Sequence, residues 1–242
     1  MAAMGFTLPE LLVGLGLGLT VLAMALSVWQ TTHQAWLGLN AAMQLQDNAR
    51  QALQAVVTQA ELAGSAQLVA VAAHAGFDAI DDSAQPDVSA TDRSKGGDLL
   101  VLSHWRSLDP TDCQGNTSGS QAWVRNQFQR STSTPNDWAC KDLLATGSTF
   151  QALAEGVEDM QVMFAEVNAN GSGLQWKTPA QISAWTRVVA LEICLRMVSA
   201  TRLTAARNAS VGCQGEPVPA DDRLRWVVRR MVRLPAHAPW RG

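Results

Sequence analysis

The first 29 residues of this chain lack the features of a cleaved secretory signal. Residues 1–5 contain no Lys or Arg, and residues 27–30 do not form a small-x-small exit after the apolar run. Between Phe6 and Trp29 only Glu10 carries a formal charge. These absences favour a retained membrane anchor over a removed signal peptide.

The sequence also lacks the short motifs of common catalytic and metal sites. Its cysteines form no C-x-x-C pair, its histidines form no H-E-x-x-H, and no G-x-S-x-G is present. The N-terminal glycines follow no strand and precede no G-K-[ST], which argues against a nucleotide-binding loop. We therefore expect no catalytic residue, no metal and no cofactor. The four histidines are His33, His74, His104 and His237.

What the N-terminus does contain is an apolar run over residues 6–29. A helix of about 24 residues is long enough to cross a hydrocarbon core of about 30 Å. A carboxylate in lipid is costly, so Glu10 needs a partner. Gly14 and Gly18 form a G-x-x-x-G pair that lets another helix approach closely, although glycine is also simply common in membrane helices.

The helix is predicted to continue well beyond the apolar run. Residues 31–63 contain no proline and a single glycine, and polar residues there occupy one face. Gly64 and Ser65 form a stop signal, so the helix should approach 60 residues, on the order of 85 Å. Its second half should pack on a globular head. The predicted apolar stripe consists of Leu39, Met43, Ala49, Leu53, Val56, Val57, Ala60 and Ala63.

Alternating apolar patterns predict strands in the rest of the chain, after an acidic loop at 76–97. The clearest strand covers 187–198, where alternate apolar residues share one face. A second loop is predicted at 212–222. The chain is therefore expected to be an α+β protein, in which a long N-terminal helix packs on an antiparallel β-sheet head. The other predicted strands are 98–105, 121–130, 150–153, 157–167 and 223–234.

Charge is distributed unevenly along the chain. Residues 187–242 contain ten Arg and four Asp or Glu, whereas the rest of the chain is acidic. Alternation in the last predicted strand places four arginines on one face. This face can pair with acidic residues of the fold, pair with a neighbouring subunit, or bind DNA; we favour pairing with protein carboxylates. The four residues are Arg223, Arg225, Arg229 and Arg233.

All four cysteines follow the apolar run. If that run places the remaining chain outside the cytoplasm, an even count indicates two disulfides. Three pairings are possible, and the nearest-neighbour one closes the shortest loops. We therefore predict Cys113–Cys140 and Cys194–Cys213.

Several of these segments together resemble a known family. Gly5-Phe6-Thr7-Leu8-Pro9-Glu10 and the apolar run after it resemble the prepilin signal of type IV pilins and pseudopilins. The segments 44–54, 62–64, 97–102 and 156–164, with the Arg-rich final strand, are similar to those of PilW-type minor pilins. Pro9 replaces the more common Ile or Val before the glutamate, and it should be tolerated in the first turn of a helix.

The resemblance implies a processing and assembly route. A membrane-embedded prepilin peptidase would cut after Gly5 and methylate the new amino group of Phe6. Glu10 would then neutralise the N-terminal amine of a neighbouring subunit as it joins the fibre. A buried ion pair is acceptable where a lone buried charge is not, which is consistent with that role.

We therefore expect a structural minor pilin of the tip or priming complex of a type IV pilus. Its partners would be prepilin peptidase, other minor and major pilins, and the inner membrane. The alternatives are a minor pseudopilin of a type II secretion system and a DNA- or surface-binding tip subunit; an anchored enzyme is the weakest. The expected divisions are a leader (1–5), a transmembrane or fibre-core helix half (6–29), an amphipathic half (30–64) and a periplasmic β-rich head (65–242).

Overall fold

The computed structural model describes residues 7–63, 88–92, 97–106, 109–117, 123–131, 134, 136–203, 210–218 and 220–234. A single long helix, α1 (Leu8–Leu62), precedes the β-rich part of the chain. The predicted stop at Gly64 and Ser65 and most of the predicted loop at 76–97 lie outside the described residues. The strands are β1 (Val88–Thr91), β2 (Leu99–Trp105), β3 (Trp123–Arg130), β4 (Asp137–Asp142), β5 (Gln151–Glu155), β6 (Val157–Val167), β7 (Leu174–Lys177), β8 (Val188–Arg202), β9 (Ser210–Val211), β10 (Pro217–Val218) and β11 (Arg223–Arg233).

Helix α1 has two halves with different surroundings. Every residue from 7 to 36 is exposed, and burial begins at Ala41. The buried residues recur every three or four positions, as expected for one helical face. Most are alanines, whose small side chains let the helix axis lie close to the sheets. They are Ala41, Leu45, Ala49, Ala52, Val56, Gln59 and Ala60.

The predicted apolar stripe was partly wrong. Ala49, Val56 and Ala60 are buried, but Leu39 and Met43 are 56% and 52% exposed. At about 100° per residue, these two side chains lie on the helix face away from Leu45 and the head. The pattern of apolar residues alone did not distinguish the head-facing stripe, which is rich in alanine, from the larger apolar residues on the far side.

The strands form two main sheets rather than the one that was predicted. The first is an antiparallel meander in the order β1-β2-β3-β4-β5, and the second has the order β11-β8-β6-β7. A short pair, β9 and β10, forms a separate ribbon inside and beside the predicted loop at 212–222. The head half of α1 packs against β2 and β5 of the first sheet and against β8 and β11 of the second.

Gly156 makes the connection between the two sheets. It is the single residue between β5 and β6, and its φ of +81° lies in the left-handed region that favours glycine. A Cβ atom at this position would lie 2.7 Å from the carbonyl oxygen of Val198. The chain can therefore turn from one sheet into the other only with a glycine in this place.

The core lies where the two sheets and the helix meet. Phe128 and Trp138 stack with ring centroids 5.3 Å apart, and both are fully buried. The Trp138 indole N–H donates to the sulfur of Met160 on β6, which joins the two sheets. The Asn126 amide on β3 donates to Gln59 of α1 at 2.7 Å, so the polar core pair ties the helix to the first sheet.

Candidate assembly interface

The start of α1 presents one carboxylate on an otherwise apolar surface. Glu10 is exposed, and its Oε2 accepts hydrogen bonds from the Thr7 backbone N–H at 3.1 Å and from the Thr7 hydroxyl at 3.0 Å. Pro9 lies in the first turn, where its missing N–H costs no helical hydrogen bond. Gly5 and Phe6, the predicted processing site, lie outside the described residues. The local geometry holds the Glu10 side chain at the helix start.

The apolar half of α1 is long enough and apolar enough to cross a membrane. Three aromatic rings follow on one face where that half ends. Trp29 and His33 stack with ring centroids 5.4 Å apart, and His33 and Trp36 with centroids 6.3 Å apart. Tryptophan prefers the boundary between lipid and water, which is consistent with a membrane surface near this point.

The exposed apolar surface of α1 continues past these rings on the side away from the head. Trp29, Trp36, Leu39 and Met43 lie within about one third of the helix circumference. Large apolar side chains that are scattered singly on a surface are ordinary, but a continuous stripe indicates a contact surface. This stripe is suited to pack against another helix.

Two of the four arginines on the predicted basic face of β11, Arg225 and Arg229, are neutralised by carboxylates of the same chain. Arg225 binds Glu158 through two nitrogens, at 2.8 and 3.0 Å, and Asp221 at 2.6 Å. Arg229 pairs with Glu192 at 3.1 Å and donates to the Cys213 carbonyl. Arg233 forms no ion pair in the described part of the chain. Arg225 and Arg229 thus pair with carboxylates of the fold, whereas Arg223, like Arg233, forms no ion pair among the described residues.

Glu158 connects two strands through this network. Its Oε2 also accepts from Arg196 of β8, and Arg196 in turn binds Glu216 at 2.6 Å. Burial opposes ionisation of Glu158, but the hydrogen bonds and charges of Arg225 and Arg196 outweigh it and lower its pKa. A hydrogen bond from Arg225 is the main cause that lowers the pKa of Asp221 to about 2. These carboxylates therefore stay ionised over the physiological pH range.

Both disulfides join nearest-neighbour cysteines. Cys113–Cys140 holds the loop after β2 against β4, and Cys194–Cys213 holds the β9–β10 ribbon on the outer face of β8. The second bridge is flanked by the Arg196–Glu216 pair. Free cysteines do not occur among the described residues, which leaves no thiol for redox chemistry there.

One buried carboxylate was not singled out from the sequence. Glu166 on β6 is 1% exposed, and it accepts from Lys177, Ser183, Ala184 and Arg187 at distances between 2.6 and 3.2 Å. Burial opposes its ionisation, yet these donors lower its pKa to about 2. All its partners lie in β7 and the turns before β8, so the group fixes that loop to the sheet. A lone Glu in a strand gave no sequence signal for this.

The two histidines in the described part of the chain lie in different elements. His33 lies in the aromatic stack of α1, and His104 is buried in β2, with Nε2 3.2 Å from the Asp109 carbonyl oxygen. His74 and His237 lie outside the described residues. Among the residues that are described, no group of three His, Cys, Asp or Glu side chains is placed to hold a metal ion.

Comparison with known families bears on the head rather than the helix. The sequence model of the family described as "Type IV Pilus-assembly protein W", PilW, matches residues 116–236. This chain belongs to the PilW family. Its long N-terminal helix packed on antiparallel sheets is the fold expected for that family. No curated protein matches the chain.

A solved structure similar to this PilW chain is a type IV-like pilin from Thermus thermophilus. The two are 15% identical, with a TM-score of 0.40, and the alignment covers 62% of this chain and 85% of the other. The PilW match begins near β3 and ends just after β11, so it does not include α1. The family assignment and the N-terminal features are therefore independent observations.

Proposed function

We propose that this PilW-family chain is a minor pilin, a structural and non-enzymatic subunit of the tip or priming complex of a type IV pilus. The observation that carries the proposal is the exposed half of α1, whose one carboxylate, Glu10, stands at its start. Prepilin peptidase would cleave after Gly5 and methylate Phe6. The subunit would then leave the inner membrane for the fibre, with its head outside the fibre core.

Glu10 would provide the assembly contact. In lipid, an ionised carboxylate whose donors among the described residues are the Thr7 N–H and O–H remains poorly compensated. The N-terminal amine of a neighbouring subunit would supply the opposite charge. Breaking a buried ion pair by removing one partner typically costs about 3–5 kcal/mol. Loss of that contact should therefore prevent entry into the fibre while leaving the head folded.

Two substitutions separate the charge of Glu10 from its local role. Glu10→Gln keeps an oxygen that can accept from Thr7, but it loses the negative charge, whereas Glu10→Ala loses both. We expect both variants to be present in the membrane and absent from sheared pili. Glu61→Ala, at an exposed acidic position near the other end of α1, should enter pili normally. Normal incorporation of Glu10→Gln would refute the ion-pair account.

The processing step has its own measurement. Mass spectrometry of the mature protein should find an N-terminus at Phe6 that carries one added methyl group. An intact Met1 or an N-terminus near Ser27 would contradict the proposed class of processing. This result is independent of whether Glu10 variants assemble.

A minor pseudopilin of a type II secretion system is the second candidate, since the same N-terminal features serve both systems. The family description, which names pilus assembly, favours the pilus. Deletion of the gene should remove pili and leave protein secretion unchanged; the reverse phenotype would favour the pseudopilin. Binding to DNA or to a surface through the arginine face has less support, because Arg225 and Arg229 already bind carboxylates.

A further inference from the structure

A groove of about 320 Å³ lies between the head half of α1 and strand β11. Leu53 and Val57 line it from the helix, and Trp226 and Val228 line it from the strand. Trp226 is 41% exposed, although Met197, its partner on β8, is fully buried. A large aromatic ring that is partly exposed in an apolar groove is typical of the anchor residues of protein interfaces.

Two arginines give this groove a positive charge. Arg50 of α1 and Arg230 of β11 both line it, and both are exposed. Neither forms an ion pair within the described residues, in contrast to Arg225 and Arg229 on the opposite face of the strand. Alternation in β11 places Arg230 on the helix side, on the face opposite to the predicted basic one. The two guanidinium groups remain available for carboxylates from outside the chain.

Strand β11 is also an edge strand. It pairs with β8 on one side, and within the described part of the chain no strand pairs with its other side. An unpaired strand edge can offer backbone N–H and C=O groups to an incoming strand, and the exposed residues of β11, among them Trp226 and Arg230, lie along this edge. Side chains of such a strand would point alternately into the groove and away from it.

The charge of β11 argues against a second copy of the chain as that partner. Antiparallel pairing of two β11 strands about their midpoint would place Arg223 opposite Arg233 twice. Like charges that face each other across strands are destabilising. An acidic strand would instead bring carboxylates to the arginines, so the charge favours a different, acidic partner.

We propose that the α1–β11 groove binds an extended acidic segment of a neighbouring pilin, which adds a strand to β11. Trp226 packs against its apolar side chains, and Arg50 and Arg230 bind its carboxylates. The partner's identity as a pilin rests on the proposed function, whereas the acidic and extended character of the segment rests on the groove itself.

Photo-crosslinking in cells that make the pilus tests this contact with the full chain. A photoreactive p-benzoylphenylalanine replaces Trp226 in one variant and Trp176 in the control. Trp176 is a matched position because it is 39% exposed and lies on β7, the opposite edge of the same sheet. We expect the Trp226 variant alone to form an adduct with a segment of another pilin that contains at least two Asp or Glu residues.

Charge reversal then tests the role of the arginines. Arg50→Glu with Arg230→Glu, in the Trp226 photoreactive variant, should lower the adduct yield roughly tenfold, because two attractive pairs become repulsive. Arg233→Glu, an exposed arginine on the other face of the same strand, should change the yield less than twofold.

An adduct with this chain, with a second copy, with nucleic acid or with lipid would overturn the proposal. So would a yield that is insensitive to charge reversal, or no adduct in either membranes or pili. Immunoblotting of sheared pili distinguishes failure of the groove contact from failure of the proposed pilin function. A chain present in pili without a charge-dependent adduct refutes the groove contact alone. An acidic adduct formed in the membrane supports the groove even where sheared pili lack the chain.

Discussion

Replacement of Glu166 by Gln should destabilise the head by about 3 kcal/mol at neutral pH. The pKa of this carboxyl is 4.5 in the unfolded chain and about 2 in the folded protein. Ionisation therefore favours the folded state by roughly 3 kcal/mol wherever both states are above their pKa values. Breaking buried ion pairs gives a similar range, about 3–5 kcal/mol. Arg187 and Lys177 keep 35% and 23% of their side-chain surface exposed, so water can partly compensate them and the lower end applies.

The dependence on pH gives the sharper test. A carboxyl with a lowered pKa in the folded state contributes its full stability above the unfolded value of 4.5. That contribution falls as the pH decreases from 4.5 and disappears near pH 2. The difference in unfolding free energy between wild type and Glu166→Gln should therefore shrink over this interval. Other carboxylates cancel in the difference because they are shared by both proteins.

The assay is urea unfolding of the full chain in detergent, with the disulfides intact. Tryptophan fluorescence follows the unfolding of the head, and one of the nine tryptophans, Trp185, contacts Phe164 edge-to-face at 5.0 Å beside the Glu166 cluster. Glu192→Gln is the control, because Glu192 pairs with Arg229 at the surface and should contribute less than about 1 kcal/mol. A Glu166→Gln variant as stable as the control, or a difference unchanged at pH 2.5, would refute the electrostatic explanation.

Two further substitutions test the connections of the head. Gly156→Ala should lower the stability by more than about 2 kcal/mol, because the new Cβ would clash with the Val198 carbonyl in addition to the penalty for a left-handed backbone. Gly147→Ala is the control: this residue also has a positive φ, but open space surrounds it. It should lower the stability by only about 1–2 kcal/mol in the same urea assay. Replacing Cys194 and Cys213 together by Ser should lower stability by about 3 kcal/mol, since the loop they close spans 19 residues. If Gly156→Ala cost no more than Gly147→Ala, the first expectation would be wrong. A double-Ser variant with the wild-type urea midpoint would contradict the second.

The sequence predicted secondary structure best where the spacing of apolar residues matches the face that the element buries. The α1 helix and strands β2, β3, β6, β8 and β11 were predicted near their observed positions because their apolar patterns match their faces. Short strands had no such signal: β1 falls inside the predicted acidic loop, and β7 and β9 have four and two residues. The division into two sheets depends on Gly156, whose role is visible only when Val198 is placed beside it.

For the proposed contact residues, the sequence indicated the chemistry of some side chains but not their arrangement. Glu10 stands out in the sequence because it is the one charge in an apolar run. Arg230 does not stand out, since it adjoins Arg229 and only the strand register places the two on opposite faces. Trp226 alternates with the arginines of β11, but its partial exposure depends on how far α1 covers the edge strand. Such tertiary information cannot be obtained from the spacing of residues alone.

The first buried residue of α1 lies some distance along the helix from Trp29. Ala41 is the first buried residue of the helix, and it follows Trp29 by twelve positions, or about 18 Å along the axis. If the proposed function holds and Trp29 lies at the bilayer surface, this first buried position would stand about 18 Å above the lipid. A helix with its side chains is about 10–12 Å wide, so the uncovered length of α1 would have room for the helix of another subunit to lie against it. Neighbouring subunits would then be able to bring their helices together at staggered heights before they enter a fibre.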